Sequence, residues 1–356
     1  MPSKITFHIN GFDSKVFDLL SQMQPTVVKV YDFPSDSNID EIRNRCPNTL
    51  IVYRHYVAWD AQTEWKFTHP VQGFVDKLQD PLNKLKGRGI IWEGVNEPII
   101  ATTQDAQTLN DWFVRFADLM HAKGEKVAAF SFSTGNPVNL DLVPLLEQAA
   151  LKCDYIALHE YHHPVAGSGQ FTRYRQFRAK LSVNARKPII ITECGVDNGQ
   201  NQGWQAFMTA DQYTQLLAGY DTELLKNNYL IGATLFQYGG GGEWKTFDVA
   251  LIGKKIADYV TSQGGGGNPP GDGDTVTTPS QLEQAIITEA KKRRWMPIND
   301  TAALYQFAQE NNLGYPQTDE FKFVFNNQNY IGQVYNLGIV YVKEGDWGNP
   351  KWTKKP

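Results

Sequence analysis

Short β-branched, apolar runs alternate along this chain with longer stretches whose apolar residues recur every three or four positions. The runs predict strands at 4–10, 26–32, 49–57, 90–98, 126–133, 155–162, 188–195 and 230–239. The helical period predicts amphipathic helices at 13–23, 71–86, 106–123, 140–151, 171–183 and 210–226. Strand and helix in strict alternation imply parallel pairing. Eight such units over residues 1–262 match a (β/α)8 TIM barrel, which typically takes about 250 residues. The competing α/β architecture is a doubly wound open sheet. It is disfavoured because no Gly-x-Gly-x-x-Gly turn follows the first strand, where Asn10-Gly11-Phe12-Asp13 runs straight into a helix.

The pattern breaks at residues 263–278, where Gly and Pro are too dense to bury an apolar face, as in a linker. Beyond it, residues 279–356 predict a small α+β module. Its expected elements are a helix at 280–293 with a Ser280/Glu283 capping box, a second helix at 300–311, and strands at 320–326, 330–336 and 338–343.

Composition narrows the function classes. A net charge of −4 offers no basic field for a nucleic-acid backbone. No run reaches membrane-spanning length, and the start of the chain lacks the apolar stretch of a signal peptide. Cys46, Cys153 and Cys194 form neither a disulfide framework nor a metal-type spacing. Aromatic residues are plentiful, with 9 Trp and 16 Tyr, and such rings serve either as core or as stacking surfaces for sugars.

Candidate chemistry sits at the ends of two strands. Glu97 closes the run Ile-Ile-Trp-Glu-Gly-Val-Asn-Glu-Pro, and Pro98 stops the strand there, so Glu97 is expected at its rim. Glu193 follows Ile189-Ile190-Ile191, a buried run, and a carboxylate in that place needs a partner. Arg54, ending the third strand, is the expected cation. A barrel keeps its chemistry at the carboxyl ends of its strands, and two carboxylates there suit glycosidic-bond cleavage. Trp59, Trp65, Trp204 and Trp244 stand in polar loops and are candidate sugar platforms, each with a loop-anchoring role as the alternative.

Trp92-Glu93-Gly94-Val95-Asn96-Glu97-Pro98 and Thr192-Glu193-Cys194-Gly195 resemble the strand-four and strand-seven signatures of the clan A retaining glycoside hydrolases, over residues 1 to about 262. The resemblance implies Glu97 as general acid/base, Glu193 as nucleophile and Asn96 as ligand of the sugar 2-hydroxyl. It also implies a β-linked polysaccharide substrate and no metal or organic cofactor. His159 and Tyr161 match that clan's strand-six pattern, with Tyr161 expected to donate to Glu193. One departure is clear: the clan usually ends strand eight with Trp, whereas this chain has Phe236-Gln237-Tyr238-Gly239, which leaves either Trp244 to swing back into the cleft or Gln237 to take a polar role. In the tail, residues 313–320 resemble an LGFP-type cell-wall repeat, which implies contact with cell-wall glycan. An endo-acting enzyme working outside the cell or on its wall is therefore expected, with a peptidoglycan glycan hydrolase or a non-catalytic glycan-binding barrel as alternatives.

His159-Glu160-Tyr161-His162-His163 also matches His-Glu-x-x-His, the zinc-peptidase motif. That chemistry needs both histidines one helical turn apart. Here the match continues a β-like run and meets Pro164, so a strand, with Glu160 facing away from His159, is expected instead.

Overall fold

The computed structural model describes residues 2–32, 35–58, 70–164, 171–263, 301–311, 313, 316–325, 328–335 and 338–354. The chain divides into two compact units, Met1–Asp272 and Gly273–Pro356. The linker expected at 263–278, apart from its first residue, and the helix expected at 280–293 lie outside the described residues.

In the first unit eight parallel strands close into a barrel in sequence order: β1 (Ile5–Ile9), β2 (Val27–Tyr31), β3 (Leu50–Arg54), β4 (Ile90–Glu93), β5 (Lys126–Phe132), β6 (Tyr155–His162), β7 (Ile189–Val196) and β8 (Leu230–Tyr238). The helices between them are α1 (Ser14–Met23), α2 (Asp36–Arg45), α3 (Val71–Lys77), α4 (Gln79–Leu85), α5 (Thr103–His121), α6 (Glu147–Lys152), α7 (Arg173–Ala179) and α8 (Ala210–Leu224), with α9 (Gly253–Ser262) after β8. The (β/α)8 architecture is as the alternation predicts.

Three differences have local causes. Helix α2 buries only Ile39 and Ile42, too thin a stripe to read as periodic, and starts because Ser35 accepts from the Asn38 N–H. The helix expected at 71–86 is two helices, α3 and α4, with Pro81 in the first turn of the second, where its missing N–H costs little. Strand β4 ends at Glu93, four residues short of Glu97. Gly94 follows it, and a Cβ there would lie 2.8 Å from the Phe113 ring and 2.9 Å from Trp112, so α5 packs directly on the backbone.

Alternation along the strands builds the site. Val27, Val52, Ile91, Ala128, Tyr155, Ala157, Ile190 and Ile231 form a buried cluster of their own, while neighbours such as Val28, Ile51, Ile156 and Ile191 join the core under the helices. Two residues further along those same faces stand Lys29, Arg54, Glu93 and His159, all buried. The barrel interior therefore passes from apolar to charged towards the carboxyl ends of its strands.

The second unit packs α10 (Ala303–Glu310) on an antiparallel sheet of β9 (Phe321–Phe325), β10 (Gln328–Val334), β11 (Gly338–Lys343) and β12 (Lys351–Lys354), in the order β12-β11-β10-β9. Strand β12 was not expected from the sequence. Leu304, Ala308, Leu313, Ile331, Tyr335, Val340 and Val342 form the core. On the other face Phe321, Phe323, Tyr330 and Tyr341 line an open cleft of about 990 Å³.

Candidate active site

Glu193 reaches the barrel interior through an irregularity. From Ile190, simple alternation would turn Thr192 inward and Glu193 outward. The β6–β7 register shifts so that Leu158 pairs with Ile191 but His159 pairs with Glu193. One extra residue on β7 thereby re-aims the carboxylate, a recurrent use of bulges beside active sites. A second irregularity lies on β5, where Ser131 has φ 44°. Its hydroxyl donates to Glu93 Oε1 at 2.8 Å and its carbonyl accepts from the Glu97 N–H at 3.0 Å. Glu97 itself has φ 49°, in the left-handed region, a cost that the surrounding structure must offset.

The two candidate carboxylates meet at His159. Its Nδ1 lies 2.8 Å from Glu97 Oε1 and 3.6 Å from Glu193 Oε2. One atom from each of Glu97, His159 and Glu193 fits within 4.8 Å of the others. Tyr161 donates its hydroxyl to Glu193 Oε2 at 2.9 Å, as expected. Burial, reinforced by the charge of Glu193, pushes that phenol well above its ordinary range, so it stays a donor.

Arg54 is not the cation that pairs with Glu193. That place belongs to Lys29, whose Nζ sits 3.0 Å from Glu193 Oε1 and 2.7 Å from Glu93 Oε2, with the ammonium fully buried. Alternation brings Lys29 from the middle of β2 to the level of Glu193, whereas Arg54 stands at the very end of β3. Arg54 instead lies over the Tyr31 ring at 5.3 Å and lines the same pocket. Burial alone would raise the Glu193 carboxyl. His159 and Lys29 outweigh it and hold the group well below the usual carboxylate range. Glu93 is likewise lowered against its burial, chiefly by Lys29. A chain of two carboxylates around one ammonium thus keeps Glu193 ionised, the state a nucleophile needs.

Glu97, His159 and Glu193 could also be read as three metal ligands. Their contacts argue otherwise: the His159 nitrogen is directed at carboxylate oxygens, and the Lys29 ammonium already neutralises Glu193 and would repel a dication. His159 and Glu160 lie on a strand, and Glu160 points to the opposite face, so the His-Glu-x-x-His match cannot assemble a peptidase site.

The pocket contains Asn96, Glu97, Tyr161, Glu193, Arg54, Gln237 and Trp244 of the expected residues. Gln237 Oε1 accepts from Asn10 Nδ2 at 2.8 Å, and Trp244 stands edge-on to Phe236 with ring centroids 5.6 Å apart. Trp204 is not a platform: it is 5% exposed and stacked on Tyr213 at 5.0 Å, because the Gly203 turn folds its loop down onto α8. Trp59 and Trp65 lie outside the described residues. Sequence reading missed Lys29, His8, Asn10, Tyr31, Glu93, Asp197, Asn201, Phe236 and Phe247. A lysine in the apolar run Val-Val-Lys-Val-Tyr was a usable signal, since a lysine is almost never fully buried without a partner.

No protein-family profile matches this sequence, and a search of curated proteins finds no relative. Solved structures similar to this one include an endoglucanase, a yeast protein bound to laminaripentaose and a β-mannanase. A broad-specificity endoglucanase from Clostridium longisporum has 11% identity and a TM-score of 0.45, covering 71% of this chain and 87% of its own. Gas2p of Saccharomyces cerevisiae in complex with laminaripentaose has 11% identity and a TM-score of 0.48, covering 72% and 61%. A β-mannanase from Thermomonospora fusca has 13% identity and a TM-score of 0.43, covering 70% and 83%. Among the described residues no helix is long and apolar enough to cross a membrane.

Proposed function

We propose that the barrel unit is a retaining glycoside hydrolase that cleaves β-glycosidic bonds within a polysaccharide by double displacement. The observation that carries this reading is the meeting of Glu97, from the loop after β4, and Glu193, from β7, at one histidine nitrogen. Retaining sites need carboxyls about 5–5.5 Å apart. In this site one oxygen from each, with His159, fits within 4.8 Å, a spacing that supports direct attack rather than attack by an interposed water.

The roles follow from the environments. Glu193, held ionised by Lys29, attacks the anomeric carbon. Glu97 gives its proton to the departing oxygen, which leaves a covalent glycosyl–Glu193 ester. Glu97 then takes a proton from water as that water displaces Glu193 with retained configuration. The β-linkage rests on the clan A resemblance of the two motif stretches, and the internal site of cleavage on the loop aromatics, of which Trp244 lines the pocket; product analysis reads both.

Digestion of a polysaccharide panel tests the proposal. Glu193→Gln should lower kcat on the order of 10⁴-fold or more, and Glu97→Gln roughly 10²–10⁴-fold. Full activity in both variants, or inversion at the anomeric carbon, would remove the reading.

We extend the proposal to the second unit as a non-catalytic glycan contact, supported by the rings and polar edge (Lys343, Asp346, Asn349) of its open cleft. In the full-length protein, Phe323→Ala with Tyr341→Ala should weaken pull-down on insoluble polysaccharide about tenfold while leaving hydrolysis of a soluble substrate unchanged. Pull-down equal to wild type would sink this part alone.

A further inference from the structure

His8, at the inner face of β1, has no use in the chemistry above. It is 1% exposed, yet it lines the same pocket as Glu97 and Glu193. Neither ring nitrogen has a hydrogen-bond partner among the described residues. Glu193 Oε1 lies 3.9 Å from Nδ1, too far for a hydrogen bond. Phe236 and Tyr31 fix the ring edge-on, at 5.2 and 6.0 Å.

Burial, with the adjacent Lys29 ammonium adding to it, pushes the imidazole well below its ordinary value, so the ring is neutral. A neutral imidazole carries one N–H donor and one bare acceptor. Leaving both unmet in a buried place is costly, and that cost needs a function to explain it. A single hydroxyl, donor and acceptor in one group, is the ligand chemistry that answers such a pair. The adjacent wall is of the same kind: Asn10 two residues on holds the Gln237 amide, and Gln237 stands where the clan places an aromatic platform.

We propose that His8 is a specificity residue that binds one hydroxyl of the sugar attacked by Glu193. The inference rests on the reading of this pocket as a glycosidase site. It assigns to β1 and β8 a hydrogen-bonding wall that reads hydroxyl configuration.

The test uses the full-length protein and a series of singly deoxygenated aryl β-glycosides of whichever sugar the wild type cleaves. His8→Phe should lower kcat/KM on the parent glycoside about 100-fold, and His8→Gln about tenfold. On one deoxy analogue the wild type should fall to the level of His8→Phe, and the variant should lose nothing further. Thermal unfolding of His8→Phe should match or exceed wild type, because an apolar ring replaces two unmet polar atoms. An equal penalty on every analogue, or a variant that loses stability and activity together while His8→Gln restores both on all of them, would make His8 a structural core residue and overturn the proposal. A wild type inert on every glycoside would instead overturn the reading of the pocket beneath it.

Discussion

Glu193 and Glu160 sit on adjacent strands, both buried, and the protein drives them in opposite directions. Glu193 faces into the barrel and is held well below the ordinary carboxylate range. Glu160 faces outward, under α7 and α8, and burial pushes it up to about 7. Hydrogen bonding does not separate them. Glu160 accepts three good bonds, from the Tyr174 N–H at 2.8 Å, the Thr172 N–H at 2.9 Å and the Tyr220 hydroxyl at 2.7 Å. What Glu160 lacks at hydrogen-bond range, among the described residues, is a cation. Lys29, touching Glu193 and Glu93 together, supplies it on the other side of the sheet. Neutral donors satisfy a buried carboxylate, whereas a full positive charge is what keeps it ionised.

Removing that charge breaks the comparison most directly. Lys29→Met leaves Glu93 and Glu193 buried together without compensation, a change that costs about 3–5 kcal/mol in similar buried pairs. Urea unfolding at neutral pH should show that loss, and hydrolysis should fall with it because Glu193 then takes up a proton. The double variant Lys29→Met/Glu93→Gln carries one fewer charge and should recover part of the stability but little activity. A single variant as stable as wild type would show that Lys29 is not the source of the difference.

The barrel was legible because all eight strands announce themselves as apolar runs, and the two glutamates because Glu97 follows one such run and Glu193 closes the apolar part of another. Three things were hidden for physical reasons. Alternation counted from Ile190 turns Glu193 away from the cavity, and only the bulge opposite Leu158–His159 turns it back. Arg54 and Lys29 both stand on inner faces of neighbouring strands, and which of them meets Glu193 depends on height in the barrel, which strand stagger decides and sequence does not carry. Trp204 lies in a polar stretch but is core, since the Gly203 turn that buries it depends on contacts with residues 246 and 247, far along the chain. His8 is legible as a strand residue and illegible as a site residue, because its unmet nitrogens exist only once β8 closes the barrel beside β1.

Glu160→Gln sharpens the comparison with a smaller and pH-dependent effect. Below about pH 4.5 the carboxyl is protonated in folded and unfolded chains alike, so it contributes no slope. Between 4.5 and about 7 the folded protein holds a proton that the unfolded chain releases, and raising the pH therefore penalises the folded state. Above 7 both states are ionised and the penalty is constant. At about 1.4 kcal/mol for each pH unit of separation, the folded state loses roughly 3 kcal/mol across that window. Glu193 runs the other way: its contribution is complete above the ordinary carboxylate range and is lost only as the pH falls below it. Glu160→Gln forfeits one acceptor, which costs about 1–2 kcal/mol relative to the protonated wild type at low pH, but it also abolishes the titration. Unfolding free energies of variant and wild type measured from pH 4.5 to 7.5 should therefore cross as the pH rises, because the variant starts about 1–2 kcal/mol lower and gains roughly 3 kcal/mol on wild type. Curves that stay parallel would mean that Glu160 is ionised in the folded protein throughout, and that its three neutral donors do the work assigned here to a cation.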